Sequence, residues 1–267
     1  MKKYFTFILI SGATIILSAF YKLPKRFSPP GAVQINDTLW YDQTEMSNIN
    51  WREFVGWVEK EYGHDSRQYI KALPDTLVWR EKNSYNEPYV NYYYRHVAYN
   101  NFPVVGISYE QAVDFCKWRT DRVKEYLLKQ DMGKTYVFEY RLPDKSEWQG
   151  VSLLGWGKKA KMMIRSGKYN NNRPYNLNYL SGDMNGIAGT IANKGADITS
   201  PCESNFPNEK DLYNLFGNVA EMTRERGKSV GGGWIHTLEQ SEFNNTVSYE
   251  KPASWLGFRC VCVVKNP

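Results

Sequence analysis

Histidine and cysteine are scarce in this 267-residue chain. Three histidines, His64, His96 and His236, leave little material for a histidine-rich metal centre. Charge of one sign is also modest. Lysine plus arginine less aspartate plus glutamate is 34 − 28 = +6, spread along the chain, with no basic run interleaved with aromatics. That sets nucleic-acid binding aside. No Gly-x-Ser-x-Gly elbow, phosphate loop or His-Glu-x-x-His helix occurs. No tandem repeat or low-complexity tract is visible, and no long stretch is poor enough in apolar residues to read as disordered.

Aromatic residues are what the chain has in quantity: 9 Trp, 20 Tyr and 12 Phe. Large rigid rings suit a loop-rich fold packed by side chains more than by long ladders. At its N-terminus, Lys2 and Lys3 precede an apolar run over residues 4–17, followed by Ser18-Ala19-Phe20. A short positive region, an apolar stretch and small residues make a secretory signal over residues 1–20. Cleavage after Ala19 and retention as a membrane anchor both stay open. Leu17 makes a poor cleavage site, and the run is short of the roughly 20 residues of a comfortable span. No cysteine follows it to accept a lipid. Residues 21–30 then read as a basic, proline-bearing linker, and residues 31–267 as the folded domain. In an oxidising compartment Cys116, Cys202, Cys260 and Cys262 are able to pair, and four cysteines allow three connectivities.

Residues 32–36 and 38–41 read as strand. Ser47 is an N-cap for a helix with Trp51, Phe54, Val55 and Val58 on one face and Gly63 as its stop. Ser108-Tyr-Glu-Gln111 is a capping box opening a second helix with Ala112, Phe115, Cys116 and Val123 on one face. Leu142-Pro-Asp144 starts a short helix containing Trp148, and residues 258–264 form a closing apolar strand. Trp51, Trp118, Trp148 and Phe258 are expected in the core, and His96 in a local hydrogen bond. Residues 64–103, rich in tyrosine, show little periodicity and read as a long ordered loop or short strand excursions. Residues 165–210, rich in Asn and Gly, read mostly as loops. The pattern predicts an α+β fold.

Six strings occur in a telling order: Tyr41-Asp-Gln-Thr-Glu-Met-Ser-Asn48, Phe102-Pro-Val-Val-Gly-Ile-Ser-Tyr109, Tyr140-Arg-Leu-Pro-Asp-Lys-Ser-Glu-Trp148, Leu212-Tyr-Asn-Leu-Phe-Gly-Asn-Val-Ala-Glu221, Gly231-Gly-Gly-Trp234 and Leu256-Gly-Phe-Arg-Cys260. Together they resemble the formylglycine-generating-enzyme, or sulfatase-modifying factor, domain family. The resemblance implies a loop-rich single domain, a variant of the C-type-lectin fold. It also implies a catalytic pair of copper-binding cysteines just past the Gly-Gly-Ser turn. Soft thiolates select Cu(I). Here that turn carries Gly233, and the two cysteine positions fall on His236 and Ser241. The family's oxidase chemistry is therefore not expected, and neither is copper. A residual enzyme would have to work through His236.

The resemblance further implies a disulfide between Cys116 and Cys260, worth about 4 kcal/mol in the chain-entropy argument. It implies a calcium site on the Asn214 side chain, the Gly217 and Val219 carbonyls and the Glu221 carboxylate, hard oxygen donors that suit Ca²⁺. Asp197 is a candidate for a second site. The tyrosine-rich segment, with Tyr85-Asn-Glu-Pro-Tyr89, Tyr92 to Tyr94 and His96, looks like that of the catalytically silent GldK and GldJ kind, proteins of gliding motility and type IX secretion. Those are lipoproteins and usually longer, whereas this chain has no lipidation cysteine. The expectation is a non-catalytic structural or accessory subunit of a bacterial envelope complex. It would lie in the periplasm or associate with the outer membrane, and contact protein partners through Tyr85, Tyr89, Tyr92, Tyr93 and Tyr94. The alternative is a stand-alone exported module that binds a peptide or glycan in a lectin-like cleft.

Overall fold

The computed structural model describes residues 28–80, 85–129, 136–155, 198–237 and 239–265. Two strands, β1 (Ala32–Gln34) and β2 (Leu39–Asp42), lead into helix α1 (Asn48–Tyr62). The Ser47 hydroxyl accepts from the Asn50 amide and the Asn50 side chain reaches back, which closes a capping box on the free first-turn amides. Trp51, Phe54, Val55 and Val58 are buried at the expected 3–4 spacing, and Gly63 ends the helix at φ +93°. Helix α2 (Arg67–Ala72), a 3-10 turn at Thr76–Trp79 and helix α3 (Glu87–Tyr92) follow, then a second 3-10 turn at Val97–Tyr99.

The long helix α4 (Tyr109–Lys129) leads to β3 (Val137–Arg141) and α5 (Lys145–Ser152). Among the described residues five short strands follow: β4 (Ala220–Met222), β5 (Lys228–Val230), β6 (Val247–Ser248), β7 (Leu256–Gly257) and β8 (Val261–Lys265). One antiparallel sheet has the order β1-β2-β8-β3, with Trp40 and Tyr140 both opposite Cys262. The second has the order β6-β5-β4-β7, and its β4–β7 pair is parallel. The architecture is a single domain of mixed helix and sheet. Phe258-Arg-Cys260 runs beside residues 42–46 without joining the ladder: Met46 N–H donates to the Phe258 carbonyl and Asp42 N–H to that of Cys260.

The main core lies where α1 and α4 cover the first sheet. Trp51 stacks on Phe115 at 5.5 Å and meets Phe258 edge-on at 5.9 Å. Trp148 is buried in a second cluster with Tyr41, Leu212 and Val230, while Trp118 is only partly buried against the first. Among the described residues no helix is long and apolar enough to cross a membrane.

The tyrosine-rich segment corrects one expectation. Its described residues form helical turns, not strands. Each turn is too short to show a period: α2 buries only Ala72 and α3 only Val90. Its packing comes from a cluster of its own, in which Trp79 meets Tyr93 at 4.6 Å and Tyr89 at 5.5 Å and stacks on Trp234 at 6.1 Å. The base of the segment is pinned by Gly106 at φ +73°. A Cβ there would sit 2.2 Å from the Asp75 carbonyl oxygen, so only glycine permits this approach.

Candidate functional site

The Gly-Asn string before β4 folds into a tight loop, because three of its residues take positive φ: Asn214 at +49°, Gly217 at +76° and Asn218 at +61°. Asparagine tolerates this region better than other residues with a Cβ. The loop delivers Asn214, Asn218 and, on β4, Glu221 into a buried polar cluster with Glu45 and Arg259, all essentially out of solvent. Arg259 uses all five of its N–H groups. Nε and Nη2 donate to Glu221 Oε1 at 2.9 and 2.6 Å, Nη1 to the carbonyls of Asp42 and Gln43 at 3.0 Å each, and Nη2 to the Tyr213 carbonyl at 2.7 Å.

Among the described residues no cation is in direct contact with Glu45. Its Oε1 accepts from Asn218 Nδ2 at 2.8 Å and its Oε2 from Asn214 Nδ2 at 3.1 Å. Burial pushes the Glu45 carboxyl up to about 7, with Arg259 pulling the other way. Burial also raises the Glu221 carboxyl above its ordinary value, again against Arg259. For Arg259 itself burial opposes the charge, but Glu221 and Glu45 outweigh it and the guanidinium stays protonated. Glu45, Asn218 and Arg259 were within strings that carried the resemblance, yet nothing in the sequence alone joined them. The partners just named lie 38 to 217 residues away.

The four positions implied for calcium all lie on this loop and the start of β4. Glu221 Oε2 is buried with no hydrogen-bond partner, and the side-chain donors of the set are oxygens, which suits a hard cation. Glu221 Oε1 is engaged by Arg259, and Asn214 Oδ1 accepts from Asn205 Nδ2 at 2.6 Å. A cation would therefore share Glu221 with the guanidinium and replace Asn205 on Asn214. The donor set fits on those terms. Among the described residues no group of three or more His, Cys, Asp or Glu is arranged to hold a metal. Asp197 lies outside the described residues.

His236 and Ser241, the positions expected to match the family's copper cysteines, are two committed side chains. His236 Nδ1 accepts from the Gly233 amide at 2.9 Å, and its ring packs edge-on against Trp255 at 4.7 Å. Burial lowers its pKa from the ordinary 6.5. Ser241 is fully buried and donates to the Thr237 carbonyl at 2.8 Å. Its hydroxyl oxygen lies 2.1 Å from where a Cβ on Gly232 would sit, so serine and glycine are packed as a pair.

The Cys116 and Cys260 sulfurs lie 3.4 Å apart in the core, as free thiols. A disulfide would require them to close by about 1.4 Å, to roughly 2.05 Å. Cys202 lies in the loop beside Asn214, its amide on the Asn101 carbonyl, whereas Cys262 is in β8; both are free.

The five tyrosines separate. Tyr85 and Tyr92 are exposed, and Tyr89 is half-buried against Trp79. Tyr93 and Tyr94 are core residues, which withdraws both from the expected partner surface. The Tyr93 hydroxyl donates to the Pro103 carbonyl at 2.6 Å and lies 2.6 Å from the Thr199 hydroxyl. Consecutive tyrosines in a helical turn cannot all face outward, and these two point inward. His96 Nδ1 accepts from the Ala98 amide, the expected local bond.

Comparison with known proteins gives the following. An inactive C-alpha-formylglycine-generating enzyme 2 from Bos taurus is 28% identical over 185 residues, 62% of this chain and 52% of the relative. The chain thus spans about half the length of that relative. CarF, at 17% identity, aligns over 85% of this chain and 87% of its own with a TM-score of 0.49. Variable protein 1 of Treponema denticola, at 14% identity, aligns over 88% and 92% with a TM-score of 0.45. The family model described as a sulfatase-modifying factor enzyme 1-like domain matches residues 2–264, nearly the whole sequence, and the chain belongs to that family.

Proposed function

We propose that this chain is a catalytically silent member of its family, with a C-type-lectin-like variant fold. In this reading it serves as a structural or accessory subunit of a bacterial cell-envelope complex, of the type IX secretion or gliding-motility kind. The observation that carries the reading is the tyrosine-rich segment. Seven large apolar residues stand exposed between residues 62 and 97: Tyr62, Ile70, Leu73, Leu77, Tyr85, Tyr92 and Val97. Concentrated apolar and aromatic exposure on an ordered segment suits a protein contact. Two further observations support a non-catalytic role. His236 and Ser241 are spent on turn geometry where the family's enzymes place thiolates, and a relative bears the name inactive.

Calcium belongs to the same proposal as a structural ion on the loop before β4. Asn214, Gly217, Val219 and Glu221 would hold it, and its charge would satisfy the orphaned Glu221 oxygen. The location proposed is the periplasm or the outer-membrane face of the envelope, reached through the N-terminal segment. The test is a gentle detergent pull-down of the C-terminally tagged protein from native envelopes, with wild type beside Tyr85→Ala/Tyr92→Ala. Envelope secretion or gliding proteins recovered in fixed proportion, and lost in the double variant, is the expected result. Recovery of the protein alone would overturn it in favour of a stand-alone binding module.

A further inference from the structure

A groove of about 280 Å³ opens between α1, α2 and α4. Its floor is aromatic: Phe54, Trp57 and Trp118, with the indole centroids of Trp57 and Trp118 6.5 Å apart and tilted at 53°. Tyr62, half-exposed at the end of α1, stands edge-on to Trp57 at 6.1 Å. The charged groups in the lining are Asp114, Asp121 and Lys71, a net of one negative charge in a chain that carries +6. Lys71 meets Asp114 at 3.4 Å, a long contact between exposed groups that contributes little. Asp121 has no ion-pair partner among the described residues. Asp121 stands on the ridge between this groove and a second one against β3, which it lines together with Lys117 and Lys124 of its own helix.

We propose that this groove receives the side chain of an arginine or lysine presented by a protein partner. Its volume lies just below the range of about 300–1,000 Å³ usual for small-molecule sites, a size suited to one long side chain. The aliphatic stem of arginine or lysine would lie along the indoles, and its charged head would reach Asp121 at the mouth. Indole faces attract cations through their quadrupole. The molecule already uses Trp57 this way: the Arg122 guanidinium carbon sits 4.6 Å from that ring centroid, and Arg122 is not part of the groove lining. The inference rests on the reading of the chain as a partner-binding subunit. Helix α2 belongs to the same segment, giving Gln68 and Lys71 to the groove while exposing Ile70.

The test uses small probes on the purified full chain, so its result does not depend on whether an envelope complex is recovered. N-acetyl-arginine methylamide is titrated and read by the indole N–H resonances of Trp57 and Trp118, assigned with Trp57→Phe and Trp118→Phe. Saturable shifts at both indoles are expected, with a Kd on the order of 1 mM, as befits one cation–π contact and one exposed carboxylate. The citrulline counterpart, which keeps the shape and loses the charge, should give no saturable shift. Asp121→Asn, an exposed change that leaves the melting temperature alone, should weaken arginine binding roughly fivefold. The proposal is overturned if citrulline binds as well as arginine, if Asp121→Asn binds unchanged, or if arginine leaves both indoles unshifted up to about 20 mM. Preferential binding of methyl glucoside at the same indoles would overturn it in favour of a glycan site.

Discussion

Gly106→Ala should detach the tyrosine-rich segment from the domain, and its cost follows from geometry. A Cβ at Gly106 would lie 2.2 Å from the Asp75 carbonyl oxygen and 3.2 Å from Val78 Cγ2. The nearer atom is backbone, so it cannot rotate aside. Relief requires residues 75 and 106 to separate, which breaks the bond from Asp75 N–H to the Gly106 carbonyl at 2.7 Å. That loss costs about 1 kcal/mol, and an alanine held at φ +73° costs about 1–2 kcal/mol more. With the loosened packing of the Trp79 cluster, the total is about 3 kcal/mol. Gly31→Ala is the control. Gly31 has φ +70° and nothing within 4 Å of its Cβ position, so it should cost only the conformational part, about 1–2 kcal/mol. Urea unfolding of the two variants and wild type in one buffer measures the difference. Equal losses for the two alanines would refute the claim that the close approach at Asp75 pins the segment.

Other outcomes follow from the same structure. His236 has its pKa lowered by burial, so the folded state favours the neutral ring; the stability it confers is present above pH 6.5 and is lost as pH falls from 6.5 through the folded value. His236→Asn, which keeps an acceptor for the Gly233 amide, should flatten the fall in unfolding free energy that wild type shows on acidification, and an unchanged slope would count against it. Oxidation of Cys116 and Cys260, whose sequence separation is 144, should raise stability by about 5 kcal/mol and appear as one linked peptide pair in non-reducing mass spectrometry. A pairing with Cys202 or Cys262 instead would contradict the observed proximity. If calcium occupies the loop before β4, excess Ca²⁺ at about 100 times its Kd should add about 2.7 kcal/mol over chelator. Identical melting with Ca²⁺ and with chelator would remove the ion from the proposal.

Much of the fold was legible because its signals are local. Ser47 and Ser108 announce α1 and α4, since a hydroxyl three residues ahead of an amide acceptor or donor caps the first turn wherever the helix later packs. Trp51, Phe54, Val55 and Val58 mark a buried face through spacing alone. The family strings are local too, and they were enough to place the chain in its family. What tertiary structure alone decided is which groups meet across the chain. Arg259 needs carbonyls from residues 42, 43 and 213 to satisfy its donors, and Glu45 needs amides from residues 214 and 218. The tyrosines show the same division. Composition signalled a special segment, but only the packing of short helical turns on Trp79 and Trp234 sent Tyr93 and Tyr94 inward and left Tyr85 and Tyr92 in solvent. Burial depends on what covers a residue, and the cover comes from distant sequence.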